Sequence, residues 1–373
     1  MRQPNEIDFW RGFALVTIFI NHVPGLYFER FTYRNFSLSD SAELFVFLAG
    51  WSLRLQIEGA AASLTAGQIF FRLCGRAVTV YIAQLVITEI ALALLAGSSI
   101  LFDAPFLLDW HNAAAVFNQP VEAYVGLVLL LHQLGYFNIL PLYVVLMALA
   151  PFIALTFRYA PQLLLPASLA IYVAVLATGF NLPTWPVEGT WFFNPLAWQL
   201  IFVTGFVLAG RATFIGQLVR AYRWPVFWIG LPIVLLGLII GLTHFSPSPS
   251  GVPQPKLFFV FDKTFLSPAR YLHMLALAAV FAGCFPAINR VLPRSSAYFS
   301  LLGRNSLNVF CIGSLLSLAG QIIRFAYGGS FAIDTGILFT GLIVIGIVAW
   351  LSEWRERART SASRLRVSPS PSA

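Results

Sequence analysis

An arginine and a histidine stand eleven residues apart near the two ends of the first apolar run, Ile7-Asp8-Phe9-Trp10-Arg11-Gly12-Phe13-Ala14-Leu15-Val16-Thr17-Ile18-Phe19-Ile20-Asn21-His22-Val23-Pro24. Eleven residues are close to three helical turns, so Arg11 and His22 project from one face about 16 Å apart along the axis. An ionisable side chain in such a segment costs a few kcal/mol or more if it faces lipid. A neutral imidazole, with an unperturbed pKa of about 6.5, is well matched to removing a hydroxyl proton near neutral pH, and a neighbouring carboxylate can fix its tautomer. His22 is therefore the candidate general base. Structural roles are open to both residues: Arg11 as a positive anchor at a membrane surface, His22 as an interfacial residue bonded to a carbonyl near the break at Pro24. The next apolar run, LFVFLAGW, opens with Ser39-Asp40-Ser41-Ala42-Glu43, which supplies two candidate catalytic carboxylates, Asp40 and Glu43. Their three-residue spacing is also that of an N-cap and its capping box.

Other chemistries find no support. There is no Gly-x-Ser-x-Gly nucleophile elbow and no phosphate-loop or dinucleotide fingerprint. His22, His111, His132, His244 and His273 show no close ligand spacing, so no metal is expected. A net charge of +8 could suit nucleic acid, but the basic residues are scattered through loops rather than gathered into a stripe with aromatic partners, so no nucleic-acid partner is expected.

The elements that must carry these residues are membrane helices. The chain has 373 residues, 58% hydrophobic and 10% charged, against roughly 25% charged in a soluble domain; its mean hydropathy is +0.79. About 20 apolar residues cross a hydrocarbon core of roughly 30 Å. Apolar windows place ten spans at 10–28, 39–57, 77–97, 137–157, 162–180, 195–210, 225–243, 268–285, 300–319 and 333–352, an all-α polytopic bundle. The run 121–135 falls short of a crossing and reads as an interfacial or re-entrant helix, or else as an eleventh span. With the N-terminus in the cytoplasm, 17 of the 23 Lys and Arg residues lie on the inner side, which puts both termini there. Residues 1–352 form one membrane domain, and the basic, Ser/Pro-rich tail 353–373 is expected to be disordered. Cys74, Cys284 and Cys311 read as buried small hydrophobes rather than a disulfide framework. No cleavable signal pattern opens the chain, so the first helix is expected to stay.

Asp8-Phe9-Trp10-Arg11-Gly12 with His22 resembles the first-helix motif of the membrane acyltransferase 3 superfamily. Within it, the runs RNFSLSDSAELFVFLAGWS (34–52), ILPLYVVLMALAP (139–151), GTWFFNPLAWQLIFVTGF (189–206), DKTFLSPARYLHMLALA (262–278) and LGRNSLNVF (302–310) are similar to the OpgC family. The resemblance implies an inner-membrane acyltransferase that succinylates osmoregulated periplasmic glucans from cytoplasmic succinyl-CoA or another acyl-CoA, with no permanently bound cofactor. It also implies that Arg11 and His22 are the functional pair and that Arg72 and Arg76 bind the acyl-CoA. The spacing of four between these two departs from the two-intervening-residue pattern of many relatives, which favours Arg76. A guanidinium fork suits phosphate, although the inner-side excess of positive charge accounts for these arginines equally. In the stretch 262–278, Lys263, Arg270 and His273 could grip a carboxylate or sugar, or could form a polar helix-end cluster; Arg270 and His273 share a helix face. Asn194, Trp198 and Gln199 could line a sugar site, although a tryptophan there also suits the interfacial belt. Asn305 and Ser306 suit helix capping. The competing class is a secondary transporter or flippase for a carbohydrate or anionic small molecule, which often carries inverted repeats; the chain shows no internal self-similarity.

Overall fold

The computed structural model describes residues 3–59, 62–210 and 214–367. Among these there are fifteen α-helices and no strand ladder: α1 (Glu6–Asn21), α2 (Ser41–Glu58), α3 (Ala66–Leu101), α4 (Ala114–Asn118), α5 (Pro120–Val128), α6 (Ile139–Tyr159), α7 (Pro161–Thr178), α8 (Pro195–Ala209), α9 (Phe214–Ala221), α10 (Arg223–Thr243), α11 (Pro268–Phe281), α12 (Phe285–Val291), α13 (Pro293–Arg304), α14 (Ser306–Tyr327) and α15 (Phe331–Val367). Each expected span falls on a helix. Six helices, α3, α6, α7, α10, α14 and the Phe331–Ala358 part of α15, are long and apolar enough to cross a membrane, and the pair α11 and α12, bent by 56°, would make a seventh. They mark the chain as a membrane protein.

Where the helices depart from hydropathy, local chemistry explains the difference. The run 10–28 ends as helix at Asn21, because the residue before Pro24 is pushed away from the helical region and Gly25 turns the chain at φ +77. The run 300–319 is split, with α13 ending at Arg304 and α14 beginning at Ser306. Residues 121–135 hold only the nine-residue helix α5, about 13 Å long at 1.5 Å per residue, which excludes an eleventh span there. The last helix continues past residue 352 to Val367, whereas 368–373, with Arg2 and Arg211, lie outside the described residues. The three cysteines form no disulfide and are half-buried rather than buried.

The chain divides into two compact units, one of Met1–Tyr27 with Gly283–Ala373 and the other of Phe28–Ala282. In the first, α1 packs on α13 and α14, and α14 packs on α15. Gly12 and Gly303 let α1 and α13 approach closely: a Cβ on Gly12 would overlap the Phe299 carbonyl, and one on Gly303 the Asp8 carbonyl. The second unit uses the same device. α2 lies on α8 through Gly50, against the Phe202 carbonyl, and Gly205, against the Phe47 carbonyl. Small residues at helix crossings are expected in lipid, where close backbone packing replaces the hydrophobic drive.

Candidate functional site

In the first unit the site is a helix face. Asn5 caps α1 by accepting from the Asp8 N–H at 2.9 Å, and His22 closes the helix as its C-cap, its N–H donating to the Ile18 carbonyl at 3.0 Å. Arg11 is buried at 7% exposure, and its Nη2 donates to the Ser306 hydroxyl. The His22 carbonyl accepts from Gln321 Nε2 at 2.6 Å, and between these two contacts the Ser317 hydroxyl donates to the Phe19 carbonyl at 3.0 Å. Residue numbers rise together along both helices, so α1 and α14 run parallel and one polar row of α14 follows the Arg11–His22 face. Beyond His22, Arg324 pairs with Asp334, whose other oxygen accepts from the Tyr27 N–H at 2.7 Å.

In the second unit the expected carboxylates and cations meet. Asp40 is the N-cap of α2: its Oδ1 accepts from the Ala42 N–H at 2.9 Å, and Glu43 Oε2 accepts from the Asp40 N–H at 3.0 Å, completing the capping box. The remaining oxygens take charges. Lys263 Nζ donates to Asp40 Oδ2 at 2.5 Å. Arg270 donates to Glu43 Oε1 through Nε at 2.7 Å and lies 3.7 Å from Asp40 Oδ2 through Nη2. Glu43 is fully buried. One turn along α11, His273 Nδ1 meets the Ser39 hydroxyl at 2.9 Å and the Ser39 N–H at 3.3 Å. The N–H contact requires Nδ1 to accept, which assigns the imidazole proton to Nε2. That nitrogen lies where Gly237 of α10 lacks a Cβ. Arg270 and His273 thus both fasten α11 to the start of α2. Beside them, burial pushes the Tyr33 phenol well above its ordinary pKa, and the charge of Asp40 adds to the shift.

The loop bearing Lys263 is itself held. Trp198, fully buried, donates from Nε1 to the carbonyls of Lys263 and Thr264, both at 3.1 Å. Asn194 caps α8 by accepting from the Leu196 N–H, donates through Nδ2 to the Phe180 carbonyl at 2.7 Å, and donates its backbone N–H to the Thr264 carbonyl at 3.0 Å. Tyr172 donates to the Leu266 carbonyl at 2.7 Å. Gln199 exchanges bonds with Ser168. The polar atoms of Asn194 and Trp198 are accordingly spent on the protein, and the exposed part of Lys263 lies near the rings of Phe192 and Phe193.

Arg72 is exposed and Arg76 half-exposed, one turn apart on α3 in the second unit, with Arg76 Nη1 donating to Gln56 Oε1 at 2.6 Å. α3 begins at Ala66, so both sit within its first turns rather than in a loop. Asn305 closes α13, and Ser306 opens α14 as the acceptor for Arg11 rather than as a cap. Sequence reasoning did not reach Gln321, Ser317 or Ser39. The first two fall on the series Ser306, Gly313, Ser317, Gln321 and Arg324 at intervals of 7, 4, 4 and 3, a face of small and polar residues readable in an otherwise apolar helix. Among the described residues no three His, Cys, Asp or Glu side chains are grouped to hold a metal ion.

No curated protein matches the chain. The family model for the OpgC protein covers residues 2–357, nearly the whole length. The chain belongs to the OpgC family, a membership that points to acyl transfer onto a glucan.

Proposed function

We propose that the chain is an inner-membrane O-acyltransferase that moves an acyl group, succinyl in the first instance, from cytoplasmic acyl-CoA to hydroxyls of a periplasmic glucan. The observation that carries the reading is the α1 face, where the buried Arg11 guanidinium and, three turns on, the His22 backbone carbonyl are both met by polar side chains of α14. Both termini are cytoplasmic in this reading, so Arg11 lies near the inner surface and His22 near the outer one. A phosphate of the coenzyme binds Arg11, since a guanidinium fork matches phosphate oxygens. The roughly 16 Å of rise between Arg11 and His22 suits the long pantetheine arm of the donor.

His22 accepts the proton of a glucan hydroxyl as its oxygen attacks the thioester carbonyl. The tetrahedral centre collapses with expulsion of the coenzyme thiolate, which takes the proton back from the imidazolium. The products are an ester and free coenzyme A. Holding donor and acceptor together replaces a bimolecular encounter, worth several kcal/mol of the barrier. Asp40 and Glu43 serve by neutralising and placing Lys263 and Arg270, and Asn194 and Trp198 by holding the Lys263 loop. Lys263, on the exposed edge of that cluster, is the group offered to an anionic or sugar ligand, with Arg270 and His273 securing α11 behind it.

Transfer of radiolabelled succinyl from succinyl-CoA to glucan in proteoliposomes tests the reading. Wild-type chain is expected to form labelled ester and His22→Ala to form none. Movement of glucan or succinate across the bilayer without any ester product would instead establish the transporter reading.

A further inference from the structure

α14 carries an internal gap at the middle of the row that follows α1. Eight of the described glycines meet no atom within 4 Å where a Cβ would stand; seven of these are exposed, and only Gly313 is buried. The next residue, Ser314, is 4% exposed and its hydroxyl has no hydrogen-bond partner. A buried hydroxyl without a partner costs roughly 1–3 kcal/mol, a cost that a bound acceptor beside the gap would relieve.

The place of this pair on the helix is fixed by its neighbours. Gly313 lies seven residues after Ser306, which receives Arg11, and four before Ser317, which reaches the Phe19 carbonyl. Ser314 lies seven before Gln321, which reaches the His22 carbonyl. Residues spaced by four or seven share a helix face, so Gly313 and Ser314 sit on the α1 side, between the Arg11 contact and the His22 contact. The helix rise puts Ser314 about 12 Å from the level of Ser306 and about 10 Å from that of Gln321. Across from them, Leu15 and Ile18 are buried at 3% and 7% and fall on the face of Arg11 and His22, at the spacing 11, 15, 18, 22.

A buried gap that the register sets opposite aliphatic positions of α1, with one neutral hydroxyl beside it in the chain, suits an uncharged, slender chain carrying an amide or ester-like carbonyl; an ion there would lose its hydration with nothing to replace it. We infer that the gap at Gly313 and Ser314 receives the pantetheine arm of the acyl donor, with the Ser314 hydroxyl bonded to one of its carbonyls. This assignment rests on the acyl-CoA reading above. It adds α14 as the second wall of the path and Ser314 as a residue that positions the donor.

The test uses the full-length chain in detergent with Cys74, Cys284 and Cys311 replaced by Ser and with Ser314→Cys introduced. Maleimide labelling of the new thiol is followed in the presence of desulfo-CoA, which has no thiol to consume the reagent, or of adenosine 3′,5′-bisphosphate, which keeps the charged end and lacks the arm. At least tenfold slower labelling with desulfo-CoA, and none of that protection with the bisphosphate, is the expected result. Equal protection by both would place the nucleotide end there and overturn the assignment. So would an unprotected thiol in a chain whose calorimetric affinity for desulfo-CoA is undiminished. If the unmodified chain binds neither compound, the acyl-CoA reading itself fails. In parallel, Gly313→Leu, which fills the gap, is expected to raise the KM for acyl-CoA at least tenfold with the KM for glucan and the Tm unchanged; an unchanged donor KM would count against the gap as the path.

Discussion

The cluster at the start of α2 and the face of α1 meet the same problem, ionisable groups within apolar helices, in opposite ways. In the unit of Phe28–Ala282, Asp40, Glu43, Lys263 and Arg270 form a closed quartet in which the two carboxylates spend their oxygens on the two cations and on the backbone of α2. In the other unit, the Arg11 guanidinium is met by a neutral hydroxyl, and the row continues with amide, hydroxyl and an open gap. Charges that cancel one another hold helices in register, and a row of neutral donors and acceptors leaves room for a passing ligand. The quartet therefore reads as the clamp of its unit and the α1 face as the reactive element.

The largest expected effect lies on the reactive side. His22→Ala should lower acyl transfer by about 100- to 10,000-fold, the usual contribution of a positioned general base, with Tm unchanged within a degree or two. His22→Ala that unfolds the chain as readily as a quartet variant would erase the distinction between the two regions. Conversely, His22→Gln, which keeps the backbone cap and some polarity, should retain the fold and remain inactive in the same transfer assay.

On the clamp side the effect should fall on stability. Glu43→Gln leaves Asp40, at 3.7 Å, as the only carboxylate of the cluster facing Arg270, and breaking a buried ion pair at one partner costs about 3–5 kcal/mol. Removing both charges with Glu43→Leu and Arg270→Met should recover much of that loss, because two desolvated ions leave together. Thermal unfolding in detergent reads both, and a double variant no more stable than Glu43→Gln would show that the quartet does more than clamp. That result would make Arg270 a ligand for substrate.

The glycines sharpen the contrast further. At Gly12 an added Cβ meets the Phe299 carbonyl, whereas at Gly313 it meets nothing within 4 Å. Gly12→Ala should therefore cost about 1–3 kcal/mol through forced helix separation. Gly313→Ala should be neutral or slightly stabilising, since alanine is favoured over glycine in a helix by up to about 1 kcal/mol. Equal losses of Tm at the two positions would mean that the gap is closed in solution.

Much of this arrangement was legible before any fold was known, for reasons that differ by residue. The Arg11–His22 face followed from helical periodicity alone, because α1 keeps regular geometry between the two. Asp40 and Glu43 read correctly as a capping box, a local pattern. Their engagement with Lys263 and Arg270 spans more than 200 residues and has no local signature, so the carboxylates were expected to orient His22 rather than to neutralise α11 and its loop. Trp198 and Asn194 suit either a sugar site or an interfacial belt by type; only their burial, with bonds to the Phe180 carbonyl and the loop at 262–266, gives them to the protein. Hydropathy placed a run on each of the longer helices but missed the short α4 and α9 and the break at Asn305, since the residues on both sides of that break are apolar enough to average into one window.

A last variant separates a structural from a functional reading of Ser306. Ser306→Ala deletes a neutral acceptor for a buried cation, and a hydrogen bond to a charged group contributes about 1.5–3 kcal/mol at most. Were Ser306 only a packing element, the loss would appear in Tm alone, with the kinetics of the folded chain intact. Were Arg11 held by it to receive phosphate, the guanidinium would be less well placed, and the KM for acyl-CoA should rise several-fold at unchanged KM for glucan. Ser306→Thr, which keeps the hydroxyl, should restore the donor KM. Steady-state transfer with the two substrates varied in turn makes the distinction, and a rise in both KM values together would remove Ser306 and Arg11 from the donor site.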